Sequence, residues 1–313
     1  MTKRERVRAA FHGLETDHVP VCFWKHVPQE LWQEDKFIEA QVDFYKKTDV
    51  DFVKLSADGY FGWPAPALGK LEQAKDLYQM KAFGPDHPFI REQIHRTKKI
   101  VSTLKDECCC LYLIFCPLSY LRLEIGYPRM MELIREDPEA VKHACRVIAG
   151  DVKLLVRGII EEAGCDGIFY SVQNGEVNRF TYEEYREWVT PSDKEVLDYA
   201  NTLSDMNALH CCAWEEINNR LEDWSDYDSA VVSWSRYIDG LGVSQAKDTF
   251  KRTVWGGFDN RLGSGTKEEI QAETKALIEE GGKRGFIIGP DCSIHDELPL
   301  ERIRWVVETA RSV

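Results

Sequence analysis

Residues 166–212, DGIFYSVQNGEVNRFTYEEYREWVTPSDKEVLDYANTLSDMNALHCC, hold two short apolar runs on either side of a long amphipathic stretch. GIFYSV (167–172) and MNALHC (206–211) are too short for core helices and are bounded by turn residues, so they predict buried strands. Between them, Thr181 and Glu184 stand in the capping-box relation, which predicts a helix over 181–203. Strand, helix, strand in this order is the repeating unit of a parallel sheet covered by helices.

The same alternation extends in both directions. Further strand-like runs are VPVCFW (19–24), DFVKLS (51–56), CCLYLIF (109–115), AVVSWS (230–235), TVWGG (253–257) and GFIIG (285–289). Residues 128–165 read as two helices broken near Asp137-Pro138. Residues 266–285 open on a second capping box, Thr266 with Glu269, and residues 298–313 form a last amphipathic helix. The Pro-rich, charged stretch 60–107 predicts a long loop beside a helix or hairpin. Eight strand-like runs alternating with helices, with no repeat or linker, predict an α/β fold: a (β/α)8 TIM barrel occupying 1–313 as a single domain.

Composition narrows the function classes. Forty basic against 53 acidic residues leave a net charge of −13, which argues against nucleic acid or an anionic membrane surface as the main partner. No run is long and apolar enough to span a bilayer, and MTKRERVRAAFHG lacks the apolar centre of a signal peptide, so the expected location is cytoplasmic. In a reducing compartment the ten cysteines are core residues, metal ligands or nucleophiles rather than disulfides.

In a barrel the chemistry lies where the strands end. His210, Cys211 and Cys212 close the fifth run, and Cys292 lies just past the eighth. In extended chain, residues two apart point the same way, so His210 and Cys212 can face one point while Cys211 faces away. Cys292, on another loop of the same rim, completes a set of two thiolates and one imidazole that suits Zn2+. Core packing is the alternative for each of these residues. Cys108-Cys109-Cys110 cannot chelate as a unit and reads as core.

Other candidates lie on the same rim. Asp58 follows the second run as an acid or as a turn-forming Asp-Gly, and Ser171, Gln173 and Asn174 follow the fourth as substrate binders or turn formers. Lys25 and His26 follow the first run, as anion binders or solvated rim charges. Asp259 and Asn260 follow the seventh; Glu216 is a candidate outer partner of the metal; His295 and Asp296 lie near Cys292 as loop residues.

At these residues the chain resembles the uroporphyrinogen decarboxylase superfamily. The resemblance runs through MTKRERVRAAFHGLETDHVPV, DFVKLSADGYFGWPAPALG, CPLSYLRLEIG, GCDGIFYSVQNGEV, TYEEYREWVTP, WGGFDNR and GFIIGPDCSIHDELPLERI, in order. It implies that Asp58 matches the decarboxylase's catalytic aspartate and Ser171 a substrate-pocket serine. True decarboxylases carry an Arg-rich loop after the first strand, where this chain reads WKHVPQELW (24–32), and a histidine where it has Cys292. The corrinoid-linked methyltransferases of the superfamily instead carry His-x-Cys and a later Cys as zinc ligands, matching His210, Cys212 and Cys292. The chain departs from them in the Cys-Ala-Trp that follows His210-Cys211. On this branch the resemblance implies methyl transfer between a methylcorrinoid on a partner corrinoid protein and a small thiol such as coenzyme M, and is compatible with a homodimer. The alternative is a metal-free carboxy-lyase of the uroporphyrinogen decarboxylase type that relies on Asp58.

Overall fold

The computed structural model describes residues 1–213, 217–260 and 265–313. Seven strands form one sheet: β1 (Phe52–Leu55), β2 (Cys109–Phe115), β3 (Gly167–Val172), β4 (Ala208–Cys211), β5 (Val231–Ser233), β6 (Thr253–Phe258) and β7 (Phe286–Pro290). They are neighbours in chain order and every pair is parallel. Every strand residue is buried, as expected for a parallel sheet covered by helices. The helices are α1 (Lys3–Phe11), α2 (Glu34–Thr48), α3 (Pro88–Leu104), α4 (Pro117–Ile125), α5 (Tyr127–Glu136), α6 (Pro138–Arg157), α7 (Tyr182–Trp188), α8 (Thr190–Leu203), α9 (Val243–Phe250), α10 (Lys267–Gly281) and α11 (Leu300–Ser312). Among the described residues no helix is long and apolar enough to cross a membrane.

The first strand-like run, 19–24, does not form a regular strand. Pro20 has no N–H to give, and the Val21 N–H donates to the Asp51 carboxylate at 2.8 Å instead of to a neighbouring carbonyl. The segment still pairs on both sides. Cys22 N–H donates to Ile288 O, Ile288 N–H to Pro20 O, and Asp51 N–H to Val21 O. It therefore joins β7 to β1 by isolated bonds rather than a ladder.

One helical prediction also shifts. The helix expected over 181–203 breaks at Val189 into α7 and α8, because Pro191 is placed in the first turn of α8, where a missing N–H costs nothing. The stretch 60–107 contains two short 3-10 turns, Leu68–Lys70 and Ala74–Gln79, before α3. The break at Asp137 falls as predicted, with the Asp137 side chain capping α6 by accepting from Ala140 N–H.

Trp24, Phe52, Phe169 and Trp255 meet inside the curl of the sheet, with ring centroids 4.8–5.2 Å apart. This aromatic plug is the floor on which the site rests. Gly289 makes room for it. A Cβ there would lie 2.2 Å from Trp255 Nε1, which donates to Cys22 O at 3.1 Å. Gly289→Ala should lower stability by roughly 1–3 kcal/mol through overpacking, read as a drop in the urea midpoint.

On α8, Asp193 is fully buried. Its Oδ2 accepts from Tyr185 and Tyr227 at 3.2 and 3.1 Å. Burial pushes its carboxyl up to about 7 against hydrogen bonds from Tyr227, Tyr185 and Cys116. An unfolded aspartate titrates near ~3.9. Between these values the folded chain holds a proton that the unfolded chain has lost. Stability should therefore fall as pH rises from about 4 to about 7, by up to ~1.4 kcal/mol per pH unit from this group, and then level off. Asp193→Asn should flatten that slope in urea titrations at pH 5, 6 and 7. An unchanged slope would exclude Asp193 as its source.

Candidate metal centre

The strand register sets up the site. Ser171 of β3, His210 of β4 and Ser233 of β5 are paired across the sheet in one line. Beyond β4 the chain stays extended, because Cys212 N–H donates to Val172 O at 3.0 Å. This keeps Cys212 on the same side as His210 and leaves Cys211 buried on the other. At the end of β7, Asp291 N–H donates to Phe258 O at 2.7 Å, and Cys292 follows. One imidazole nitrogen and the two sulfurs, from His210, Cys212 and Cys292, lie within 4.8 Å of one another.

Their surroundings favour a cation. His210 Nδ1 is 3.1 Å from Ser233 Oγ, so Nε2 is the ring nitrogen left for the sulfurs. The Cys212 thiol donates to the Cys292 sulfur. With further bonds from His210 and the Ser293 N–H, this holds Cys292 well below the usual thiol range despite burial, and it raises Cys212. A soft divalent ion would displace a proton from such a pair of sulfurs. Gln173 Nε2 lies 3.7 Å from Cys212 Sγ and points an N–H at it. The donor set fits zinc.

Gln173 is itself oriented. Arg122 Nη2 donates to Gln173 Oε1, and Arg122 Nη1 to Asn174 Oδ1 at 3.0 Å. Asn174 adopts φ 69°, turning the chain back after β3. The Arg122 guanidinium is buried, with the fully buried Glu176 carboxylate 3.9 Å away; Glu176 is also 2.8 Å from Arg179. This chain of charge fixes which end of the Gln173 amide meets the sulfur.

The triad opens on a cavity of about 270 Å³, at the small end for ligand sites. Its wall includes His26, Ser171, Gln173, Asp259 and Asn260, with Trp24, Phe61, Phe115 and Phe169 among its apolar residues. Asp58, Lys25 and Asn174 are not on this wall. Asp58 Oδ1 lies 2.9 Å from His26 Nδ1; its Oδ2 accepts from Val27 N–H at 2.7 Å and from Ser56 Oγ. Burial alone would raise its carboxyl, but these bonds, led by His26, hold it below the usual range. Asp58 thus orients His26, whose ring is half exposed on the wall. Lys25 turns outward to Asp296, 3.5 Å away. Glu216 lies outside the described residues. Cys108, Cys109 and Cys110 are buried, and all ten cysteines are unpaired.

Four site residues escaped the sequence reading: Lys54, Arg122, Ser233 and Asp291. A lysine amid the apolar residues of β1 is the one signal that could have been read. Asp291 lines the cavity, where burial pushes it up to about 6 although Ser235 Oγ and the Arg236 and Tyr237 N–H groups donate to it.

A methyltransferase from Methanosarcina mazei superposes with a TM-score of 0.78, at 17% identity, over 100% of this chain and 98% of that one. A putative vitamin-B12 independent methionine synthase from Listeria monocytogenes gives 0.56 at 15% identity, over 89% of this chain and 86% of that one. A B12-independent methionine synthase from a Shewanella species gives 0.55 at 13% identity, over 94% and 93%. At these identities the likeness is one of fold. No curated protein sequence matches the chain. The sequence model of the family described as uroporphyrinogen decarboxylase (URO-D) matches residues 48–313, most of the chain, and the chain belongs to that family.

Proposed function

We propose that the chain is a zinc-dependent methyltransferase, built as a single (β/α)8 barrel in which segment 19–24 takes the eighth place. It would move a methyl group between a methylcorrinoid, carried by a partner protein at the barrel mouth, and a small thiol such as coenzyme M. The observation that carries this reading is the convergence of His210, Cys212 and Cys292 within 4.8 Å on the wall of a cavity. Membership of the family and the methyltransferase fold neighbour support the coarser part of it.

His210, Cys212 and Cys292 would hold the ion. When bound, zinc supplies the positive charge that keeps a thiol as thiolate near neutral pH. Three protein donors rather than four suit a catalytic site. Ser233 fixes the His210 ring, and Gln173 directs a donor at Cys212 Sγ. Trp24, Phe61, Phe115 and Phe169 keep water away from the nucleophile, and Ser171 and His26 offer polar atoms to the substrate. The unpaired cysteines suit a reducing compartment such as the cytoplasm.

The carboxy-lyase alternative finds less support. Both oxygens of Asp58 are engaged, by His26, Val27 and Ser56, Asp58 is not on the cavity wall, and 24–32 offers no arginine for a substrate rich in carboxylates. The test is methyl transfer from methylcobalamin to a thiol, followed by the absorbance change of the corrinoid. Turnover by zinc-loaded protein is expected. Equal turnover by protein stripped of metal would refute the reading.

A further inference from the structure

Tyr185 of α7 is fully buried, and its hydroxyl meets three partners. It accepts from Trp224 Nε1 at 2.8 Å. Asp193 Oδ2 stands 3.2 Å from it and the backbone carbonyl oxygen of Gln173 3.3 Å. A phenol has one proton to give. Two acceptors therefore compete for it, one on α8 and one in the loop after β3. Among the described residues, Tyr185 is the donor to the Gln173 carbonyl. Gln173 is also the residue that points an N–H at Cys212 Sγ, 3.7 Å away.

The charge on Asp193 settles the competition. An ionised carboxylate takes a donor more strongly than an amide carbonyl does. It then holds the protons of both Tyr185 and Tyr227, and the Gln173 carbonyl loses its donor. A neutral Asp193 has a proton of its own to give to a tyrosine oxygen, and Tyr185 is free to donate to Gln173. The titratable groups facing Asp193 are Tyr185 from α7, Tyr227 just past Trp224, Tyr170 from β3, Cys116 before α4 and Cys145 from α6. Burial raises every one of these thiols and phenols, so Asp193 is the member of the cluster that changes charge near neutral pH. Cys116 adds a second tie: its thiol donates to Asp193, and its sulfur accepts from Gln173 N–H.

We propose that Tyr185 is a positioning residue for Gln173, and that a proton on Asp193 switches its hydroxyl between the Asp193 carboxylate and the Gln173 carbonyl. With Asp193 neutral, the loop after β3 is tied to α7, and the Gln173 amide keeps its aim at Cys212. With Asp193 ionised, the tie moves to α8 and the Gln173 carbonyl is released. The hydrogen-bond exchange requires no metal; only its effect on zinc rests on the reading above.

The experiment is nitrogen NMR of the full chain without metal, between pH 6 and pH 8, followed by zinc titration. Two signals report on the exchange: the Asn174 amide, whose nitrogen senses the bond made to the Gln173 carbonyl, and the Trp224 indole, which donates to Tyr185. Both should shift with one midpoint in wild type, and neither should shift in Asp193→Asn. In Tyr185→Phe the Asn174 signal should stay at the wild-type high-pH position throughout. Zinc should bind wild type about ten-fold more tightly than Tyr185→Phe at pH 6 and within about two-fold at pH 8, while Asp193→Asn should keep the larger margin at pH 8. Taking the ratio at each pH removes the proton release common to all three proteins. A Tyr185→Phe deficit equal at both pH values would mark a merely structural role and overturn the proposal, as would an Asn174 signal that does not titrate in wild type. A wild type whose two signals titrate together but which takes up no zinc would refute the metal reading and still support the exchange.

Discussion

Cys212→Ser is expected to lose methyl transfer and metal together while keeping its fold. Serine matches the size of cysteine, and Cys212 is held in place by its own backbone bond to Val172 O, so the extended segment after β4 should persist. What changes is the ligand. A serine hydroxyl is a harder donor and does not deprotonate near neutral pH, whereas zinc is held by thiolate and imidazole. Removing an outer partner of a metal typically costs about 10–100-fold, and removing a ligand should cost more. The rate of methyl transfer and the metal content should fall in parallel, with the urea midpoint of metal-free protein within about 0.5 kcal/mol of wild type. A variant with normal rate and no zinc would break the link between the two.

The largest effect on stability should come from Arg122→Met. The Arg122 guanidinium is buried, donates to Gln173 and Asn174, and lies 3.9 Å from Glu176, a carboxylate with no exposure at all. Removing one partner of a buried charge pair typically costs about 3–5 kcal/mol, because the other is left uncompensated. Arg179, 2.8 Å from Glu176, would soften the loss, so the lower end of that range is expected. The change should also free the Gln173 amide to rotate and weaken its donation to Cys212. Gln173→Leu separates the two consequences. It should lower zinc affinity about 10–100-fold while costing less stability than Arg122→Met, because Asn174 and Glu176 still hold the guanidinium. An Arg122→Met variant that unfolds no more easily than wild type would contradict the charge chain from Glu176 to Cys212.

Much of this site was legible in the sequence, for local reasons. His210 and Cys212 are two apart at the end of a strand, and two-residue periodicity alone predicts that they face one way with Cys211 turned from them. Cys292 could be joined to them because the tops of β4 and β7 share a rim. Capping boxes at Thr181 and Thr266 placed two helix starts correctly. What escaped depended on contacts distant in sequence. Arg122 looks like one more residue of a helix until Gln173, Asn174 and Glu176 are brought to it. Lys54 reads as a solvent-facing charge until both faces of β1 are covered. The break at Val189 follows from Pro191, a signal the capping box at Thr181 overshadowed. The irregularity of 19–24 follows from Pro20 and from the Asp51 carboxylate, which takes the Val21 N–H. Asp58, a candidate from its place after the second run and from the resemblance, supports His26 and is not on the cavity wall.

The central claim is that His210, Cys212 and Cys292 form a zinc site. The measurement that tests it most directly is the metal content of purified protein, wild type beside Cys292→Ser, prepared without chelators. The account predicts about one zinc per chain in the wild type and its loss in the variant. A wild type that takes up no zinc when it is supplied, or a variant that retains it, would contradict the account.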